Sequence, residues 1–378
     1  MKSILVIGGT GTMGREVVRL FSESGYDTWC VCRSQRAQTE QVHYLYGDAM
    51  DSEFISQVLN ERKYAGIVDF MWYDPDTFAS RIDKLLSATK HYICLSSSAV
   101  SAHSDKPIKE DDPRFYDSAS EEELNDKGWH YHLEKARIEN ILHQYKQVNW
   151  TIIRPHVTLN SNHLPLTVWT ESVWLWRATH NLPVIVYEDL LKPISSYTIA
   201  SDVAKMIKAI IKNGSASYGE TYNVVSDTVL SGEQLLSLYV DILRRHGFAM
   251  KIVRLPDSSS YRAYSPMGYE RITYDRAQDR VFDNTKIKSI SDIQFADIKK
   301  SLEQCVKDWL FLHTHTGVEN ACIEEFVLMD QLSKTRTPMK YLKSAKAKKN
   351  YLTCRYPIIG KIYNAALQPI VKLIKHKK

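Results

Sequence analysis

The sequence lacks the features that mark secreted, disulfide-stabilised or membrane-spanning proteins. Its 378 residues contain six cysteines, at positions without a Cys-x-x-Cys pair or the spacing of a disulfide framework. It has no long apolar run that would span a bilayer, and no basic region followed by an apolar segment near residue 1. These absences predict a cytoplasmic protein whose thiols are reduced and buried. No repeat at solenoid spacing is present, and 44% apolar residues are enough for substantial cores.

Acidic residues are missing from one end of the chain. Residues 331–378 contain thirteen Lys or Arg and no Asp or Glu, which leaves 36 basic and 44 acidic residues elsewhere, a charge of −8. Three interpretations remain open: a segment lying on anionic lipid at the inner face of a membrane, a solvated extension, or a contact with nucleic acid or an acidic partner.

Strands and helices alternate along the first part of the chain. Apolar runs predict strands at 4–7, 28–32, 43–46, 67–71, 92–95 and 150–153, and helical periodicity predicts helices at 54–59, 78–86 and 129–145. Trp169, Trp174 and Trp176 are placed in one later helix. Such alternation predicts an α/β fold with a doubly wound parallel sheet, and ligands at the carboxyl ends of its strands.

A glycine-rich turn follows the first strand. Gly8 permits the tight turn, Gly11 brings backbone N–H groups close to a pyrophosphate, and Gly14 lets the next helix pack on the sheet. The strand before this turn and the helix after it favour a dinucleotide site over an ordinary loop.

Tyr131 and Lys135 form the second candidate element. Four residues are about one helical turn, so both side chains stand on one face, and an ammonium beside a phenol stabilises the phenolate. Tyr131 would then exchange a proton with a substrate hydroxyl or carbonyl. His130 and His132 flank the tyrosine, but we expect them to point to different sides of the helix and predict no metal site.

A third element is the strand at 92–95, which ends in Ser96, Ser97 and Ser98. It places hydroxyl groups at the carboxyl edge of the sheet. Capping of the following turn is an equally good interpretation for any one of these serines.

These three elements together resemble the extended short-chain dehydrogenase/reductases, the NAD-dependent epimerase/dehydratase family. Further similarities are Gly47-Asp48, Val68-Asp69, Arg154-Pro155 and Asp202-Val203-Ala204, and the resemblance covers about residues 1–313. It implies a Rossmann domain at 1–155 whose sheet later segments complete, a substrate lobe at 156–320 interleaved with it, and the basic tail at 331–378.

The resemblance also implies roles for individual residues. Tyr131 would be the catalytic acid or base, Lys135 would hold the cofactor ribose, and Ser97 would hydrogen-bond the reacting oxygen. Ser98 competes with Ser97, because the family's Tyr after Val100 is replaced here by Ser101. The expected cofactor-binding residues are Gly8, Thr10, Gly11, Thr12, Met13, Gly14, Arg33, Asp48 and Lys135. The expected substrate-binding residues are Ser98, Arg154 and Arg276.

The end of the second strand bears on the choice of cofactor. Arg33 stands where NAD enzymes usually carry a carboxylate, and an arginine suits a 2′-phosphate. This favours NADP over NAD, unless Arg33 simply faces solvent. Asp48 would contact the adenine or cap the next helix.

The expected substrate is a nucleotide sugar, which the family most often uses. Dehydration is disfavoured because Ser98 and Ala99 replace the family's acidic pair. A ketoreductase and an epimerase both remain, and a homodimer is a further expectation. The alternative is a non-catalytic nucleotide-binding, RNA-associated or membrane-associated protein on the same fold.

Overall fold

The chain folds into two units, each with its own core. The computed structural model describes residues 2–36, 38–125, 130–264, 266–313, 317–318, 322–356 and 358. The first unit comprises the described residues of 2–160, 193–230 and 270–302, and the second those of 161–192, 231–269 and 303–358.

The described residues contain twelve strands and sixteen α-helices. The strands are β1 (Ser3–Ile7), β2 (Asp27–Cys32), β3 (Val42–Tyr46), β4 (Gly66–Asp69), β5 (Tyr92–Leu95), β6 (Trp150–Arg154), β7 (Val157–Leu159), β8 (Val184–Tyr187), β9 (Ile194–Ile199), β10 (Glu220–Asn223), β11 (Val229–Ser231) and β12 (Ile252–Leu255). The helices are α1 (Thr12–Glu23), α2 (Ser52–Asn60), α3 (Pro75–Ala88), α4 (Phe115–Ser118), α5 (Glu121–Asn125), α6 (Tyr131–Gln144), α7 (Glu171–Thr179), α8 (Glu188–Leu191), α9 (Ala200–Asn213), α10 (Gly232–Arg245), α11 (Ser259–Tyr264), α12 (Pro266–Arg271), α13 (Thr285–Ser289), α14 (Ile298–His313), α15 (Ile323–Leu332) and α16 (Ala345–Arg355).

A seven-stranded parallel sheet forms the centre of the first unit. Its order is β10-β6-β5-β4-β1-β2-β3, the doubly wound arrangement in which strand order reverses beside β1. The prediction of a parallel α/β sheet is therefore confirmed. Strands β7, β9 and β11 form a separate three-stranded sheet, and β8 pairs with β12 in the second unit.

Both faces of the central sheet are covered. Alternate residues of β1 point to opposite sides, so Leu5 and Ile7 join one buried cluster while Ile4 and Val6 join the other. Helices α2, α3 and α6 supply the first cluster, and α1 and α9 the second. This packing explains why β1 reads as a continuous apolar run.

Several local expectations need correction. The strand predicted at 67–71 ends at Asp69, because the Asp69 carboxylate accepts the Met71 N–H at 3.0 Å and turns the chain. Trp169 precedes α7, since Thr170 is the N-cap, whereas Trp174 and Trp176 lie inside that helix. Of the six cysteines, Cys305, Cys322 and Cys354 are half-buried, so the expectation of buried thiols is wrong for these three.

Among the described residues, no helix combines the length and apolar character needed to cross a bilayer.

Candidate active site

The glycine turn connects β1 to α1 with the expected backbone geometry. Gly8 has φ +75°, a conformation that other residues adopt only with strain. A Cβ on Gly14 would lie 2.5 Å from the carbonyl oxygen of Gly8, so only glycine permits this contact between turn and helix. A Cβ on Gly11 would meet only that same oxygen, at 3.5 Å. Gly11 therefore borders open space on the side where a ligand would lie.

Helix α1 begins at Thr12 without a capping side chain. Gly11 is the N-cap, and the first turn contains no acidic residue. The positive end of the helix dipole is consequently available to an anion, as a dinucleotide pyrophosphate requires. The Thr12 carbonyl accepts a hydrogen bond from Asn160 Nδ2 at 2.8 Å, and Met13 Sδ lies 3.9 Å from Thr158 Oγ1. Gly9 is a further requirement that the motif did not single out, because its Cβ would lie 2.6 Å from Cys30 Sγ.

Two expected cofactor residues follow β2 and β3. Arg33 is exposed directly after β2, and Asp48 is exposed two residues after β3. Asp48 Oδ1 accepts the Met50 N–H at 2.9 Å, while Asp51 caps helix α2. Asp48 thus orders its own turn and does not cap the helix.

The three strand-end serines differ in what they contact. Ser96 Oγ donates to Glu139 at 2.6 Å, and Ser98 Oγ lies 2.7 Å from Nδ1 of His156. Both are buried, whereas Ser97 is half-buried and its Oγ accepts the Ala99 N–H at 3.2 Å. Within the described part of the chain the Ser97 hydroxyl has no acceptor, so its proton is available to a ligand.

Helix α6 carries Tyr131 and Lys135 to the same edge of the sheet. Tyr131 is the first helical residue and half-buried. Lys135 is 2% exposed, and its Nζ donates to the Leu95 carbonyl at 2.8 Å, at the end of β5. The helix also packs on the 3₁₀ turn Ser98–Val100. The ammonium and the strand-end serines are therefore neighbours, and Tyr131 lies one helical turn before Lys135.

Arg154 does not reach an open cleft. It is 3% exposed, and its Nε and Nη2 donate to Glu139 at 2.9 and 2.7 Å. Its Nη1 donates to the Glu110 carbonyl at 2.9 Å. Burial alone would raise the pKa of Glu139, but the charges of Arg154 and Arg114 hold it below its usual value. These contacts give Arg154 a structural role in place of the substrate contact expected from the sequence.

A π-helical turn at Ile272–Arg276 brings polar groups to His156. The Asp275 carboxylate lies 3.9 Å from His156 Nε2, 3.5 Å from Arg276 Nε and 3.7 Å from Arg280 Nε. Among the described residues, His156 Nε2, Asp275 Oδ1 and both arginine Nε atoms have no hydrogen-bond partner. Burial lowers the pKa of His156 to about 3, so the imidazole is neutral at physiological pH.

Arg276 and Arg280 differ although they share this cluster. Arg280 is fully buried and donates to the carbonyls of Ser98, Ser101 and Ala102. It fastens the serine turn and is not free for a phosphate. The Arg276 side chain is 16% exposed and reaches the surface beside Asp275.

A cavity of about 130 Å³ lies beside the start of α6. His130 and His132 both line it, which corrects the expectation that they point apart; His130 is the N-cap and precedes the helical turn. His130 pairs with Glu270, and the His132 ring lies 4.2 Å from that of Tyr274. The cavity is lined by Phe115, Ser118, Ala119, Glu123, His130, His132, Leu133 and Tyr274. No group of three metal-ligating side chains occurs among the residues described.

Three residues of the site, Glu139, His156 and Asp275, are not among those predicted from the sequence. Glu139 had a usable signal, because it follows Lys135 by one helical turn on the same helix. His156 lies two residues after β6, where the edge of the sheet predicts a functional residue. Nothing local marks Asp275, which lies far along the chain.

The fold and the glycine turn define a dinucleotide-binding protein of the Rossmann type. The model of the NAD-dependent epimerase/dehydratase family matches residues 4–224, and the chain belongs to this family. No curated protein matches the sequence at a significant level.

Solved structures of other proteins share this fold. A dTDP-glucose 4,6-dehydratase from Bacillus anthracis in complex with NAD has a TM-score of 0.62 and 17% identity, over 83% of this chain and 97% of that one. A UDP-glucose 4-epimerase from Thermotoga maritima with UDP-glucose has a TM-score of 0.60 and 14% identity, over 82% and 99%. The Bordetella bronchiseptica enzyme WbmH in complex with NAD+ has a TM-score of 0.60 and 14% identity, over 83% and 100%.

Proposed function

We propose that this chain is an NAD(P)-dependent epimerase or ketoreductase that acts on a nucleotide sugar through Ser97, Tyr131 and Lys135. The observation that carries the proposal is the position of Lys135 Nζ, held 2.8 Å from the last carbonyl of β5 and one helical turn from Tyr131. This brings a cation, a phenol and the Ser97 hydroxyl to one sheet edge.

The residues present fit a nicotinamide dinucleotide. Gly11 leaves space at the turn, and the uncapped N-terminus of α1 offers N–H groups to the pyrophosphate. The cofactor would be held by Gly8, Thr10, Gly11, Thr12, Met13, Gly14, Arg33, Asp48 and Lys135. When bound, it supplies hydride transfer.

The chain's own groups then handle the proton and the reacting oxygen. Tyr131 gives a proton to that oxygen or takes one from it, and Ser97 donates a hydrogen bond to it. Lys135 would hold the ribose of the cofactor beside them.

His156 Nε2 and Asp275 Oδ1, which lack hydrogen-bond partners among the described residues, are the proposed contacts for a sugar hydroxyl. A hydroxyl both accepts and donates, so it would accept from His156 Nε2–H and donate to Asp275 Oδ1. Either contact relieves the cost of a buried polar atom without a partner. Arg276 would contact the same substrate at the surface side.

Tyr131→Phe tests the catalytic role. We expect kcat to fall about 10²–10⁴-fold, because the proton donor is lost while the ring remains. UDP-glucose, UDP-glucuronic acid and dTDP-glucose serve as substrates, each with NAD and NADP in separate assays. Retained cofactor affinity, measured by calorimetry, would separate a chemical defect from a binding defect.

The matched control is Tyr145→Phe, at the other end of α6, which should leave kcat within about twofold. Unchanged turnover in Tyr131→Phe contradicts the proposal.

Preference for NADP depends on Arg33 alone, and two of the three solved neighbours described above are complexes with NAD. Arg33→Asp should lower NADP affinity more than NAD affinity. A homodimer and a peripheral contact of residues 331–378 with an anionic membrane are separate proposals, independent of this chemistry.

A further inference from the structure

The structure describes the basic end of the chain through residue 356 and at residue 358. Seven of its basic residues are exposed between positions 334 and 349, and acidic residues are absent from 331 onward. These residues are Lys334, Arg336, Lys340, Lys343, Lys346, Lys348 and Lys349. The remaining chain is negatively charged, so the segregation is specific to this surface.

A buried carboxylate fixes the segment to the second unit. Asp330 is fully buried and accepts hydrogen bonds from Arg177 at 2.6 Å, Tyr351 at 2.6 Å and the Thr337 N–H at 2.7 Å. Burial alone would raise the pKa of Asp330, but Arg177 and these hydrogen bonds lower it. Helix α16 buries Ala347 and Tyr351, so its lysines are held on the opposite, solvent-facing side.

The second unit, which carries these lysines, also has exposed apolar side chains. Phe311 and Leu312, at the end of α14, are 87% and 53% exposed, and Ile358 is 74% exposed. The Val318 N–H donates to the Tyr341 carbonyl at 3.0 Å, which ties the chain after α14 to the lysine segment. Six residues of chain span at most about 20 Å, so Leu312 lies within that distance of Val318.

We propose that this surface, formed by the seven basic residues with Phe311, Leu312 and Ile358, docks the protein on an anionic lipid bilayer. Lysines gain from anionic headgroups, and apolar side chains gain from entering the boundary with the acyl chains. Nucleic acid would satisfy the charges but offers no comparable burial for an exposed Phe and Leu. The inference deepens the membrane contact proposed above by naming the residues that would make it, and it requires neither cofactor nor substrate.

Flotation of the full chain with vesicles tests the proposal. We expect binding to vesicles of phosphatidylcholine with 30% phosphatidylglycerol, and none to phosphatidylcholine alone. Lys340, Lys343, Lys346 and Lys348 are changed together to Gln. The partition coefficient should then fall roughly six-hundredfold, since each basic residue near such a surface contributes about fivefold. Phe311→Ser with Leu312→Ser should lower it roughly tenfold.

The matched control removes the same charge elsewhere. Lys90, Lys106, Lys109 and Lys146 are exposed in the first unit, and their joint change to Gln should alter binding less than threefold. Circular dichroism checks that each variant is folded.

Three results overturn the proposal. These are no flotation of the parent chain, an equal loss in both quadruple variants, and tighter binding to a single-stranded RNA oligonucleotide that is insensitive to the Phe311 and Leu312 changes. The first of these results is obtained with the unaltered chain, so it does not depend on whether any variant folds.

Discussion

Glu139 is a buried carboxylate of the first unit and Asp275 a half-buried one, and both lie among arginines. They differ in how their oxygens are used. Both Glu139 oxygens accept hydrogen bonds, at 2.6–2.9 Å from Ser96 and Arg154. Asp275 has Arg276 and Arg280 at 3.5 and 3.7 Å and the neutral His156 at 3.9 Å, and its Oδ1 has no hydrogen-bond partner among the described residues. A completed network holds the backbone, whereas an incomplete one has capacity for a polar ligand.

The two carboxylates also connect different elements. Glu139 joins the ends of β5 and β6 to α6, which fixes the platform under Ser97. Asp275 faces the other side of the same serine turn through His156. In the proposed site, Glu139 would therefore serve stability and Asp275 would serve recognition, from neighbouring charge clusters at one sheet edge.

The largest expected effect is a difference in stability between isosteric variants. Glu139→Gln should cost about 3–5 kcal/mol of unfolding free energy, because the buried Arg154 loses its counter-charge. Asp275→Asn should cost about 1 kcal/mol, since no short hydrogen bond is lost. Guanidinium unfolding followed by tryptophan fluorescence measures both. Equal losses of unfolding free energy in the two variants would contradict the proposed difference between the two carboxylates.

A second pair of variants changes the glycine turn. Gly14→Ala should destabilise the chain by as much as about 3 kcal/mol, because its Cβ meets backbone at 2.5 Å. Gly11→Ala should leave thermal stability nearly unchanged while weakening cofactor affinity. Thermal unfolding and calorimetric titration with NAD and NADP check the pair, and a Gly11→Ala variant with full affinity for both would remove Gly11 from the proposed site.

The smallest effect concerns pH. The His156 pKa is about 3 in the folded chain against about 6.5 unfolded, so below pH 6.5 the unfolded state binds the proton more readily. Stability should fall by about 2 kcal/mol from pH 7 to pH 5 through this group. His156→Asn should flatten the dependence by that amount, while exposed His103→Asn should not. An identical slope in the parent and His156→Asn would show that the group does not titrate this way.

The parts predicted from sequence are those whose partners are local. The glycine turn and the Tyr131–Lys135 pair each depend on spacings of four residues or fewer, and the strand pattern depends on apolar runs. The family resemblance predicts a substrate contact for Arg154. Its actual partner is Glu139, which lies on another element. The Asp275–His156 contact joins residues more than a hundred positions apart, and only the packed structure reveals it.

The anchoring of α16 changes how the end of the chain can be studied. A protein ending at residue 330 would keep Arg177 and Asp330 but lose Tyr351 and the Thr337 N–H, two of the donors that satisfy the carboxylate. Such a deletion would destabilise the interior of the second unit. A resulting loss of membrane binding could then be mistaken for the loss of the surface lysines. Shortened proteins should therefore end beyond residue 356, and the lysines are better neutralised in place.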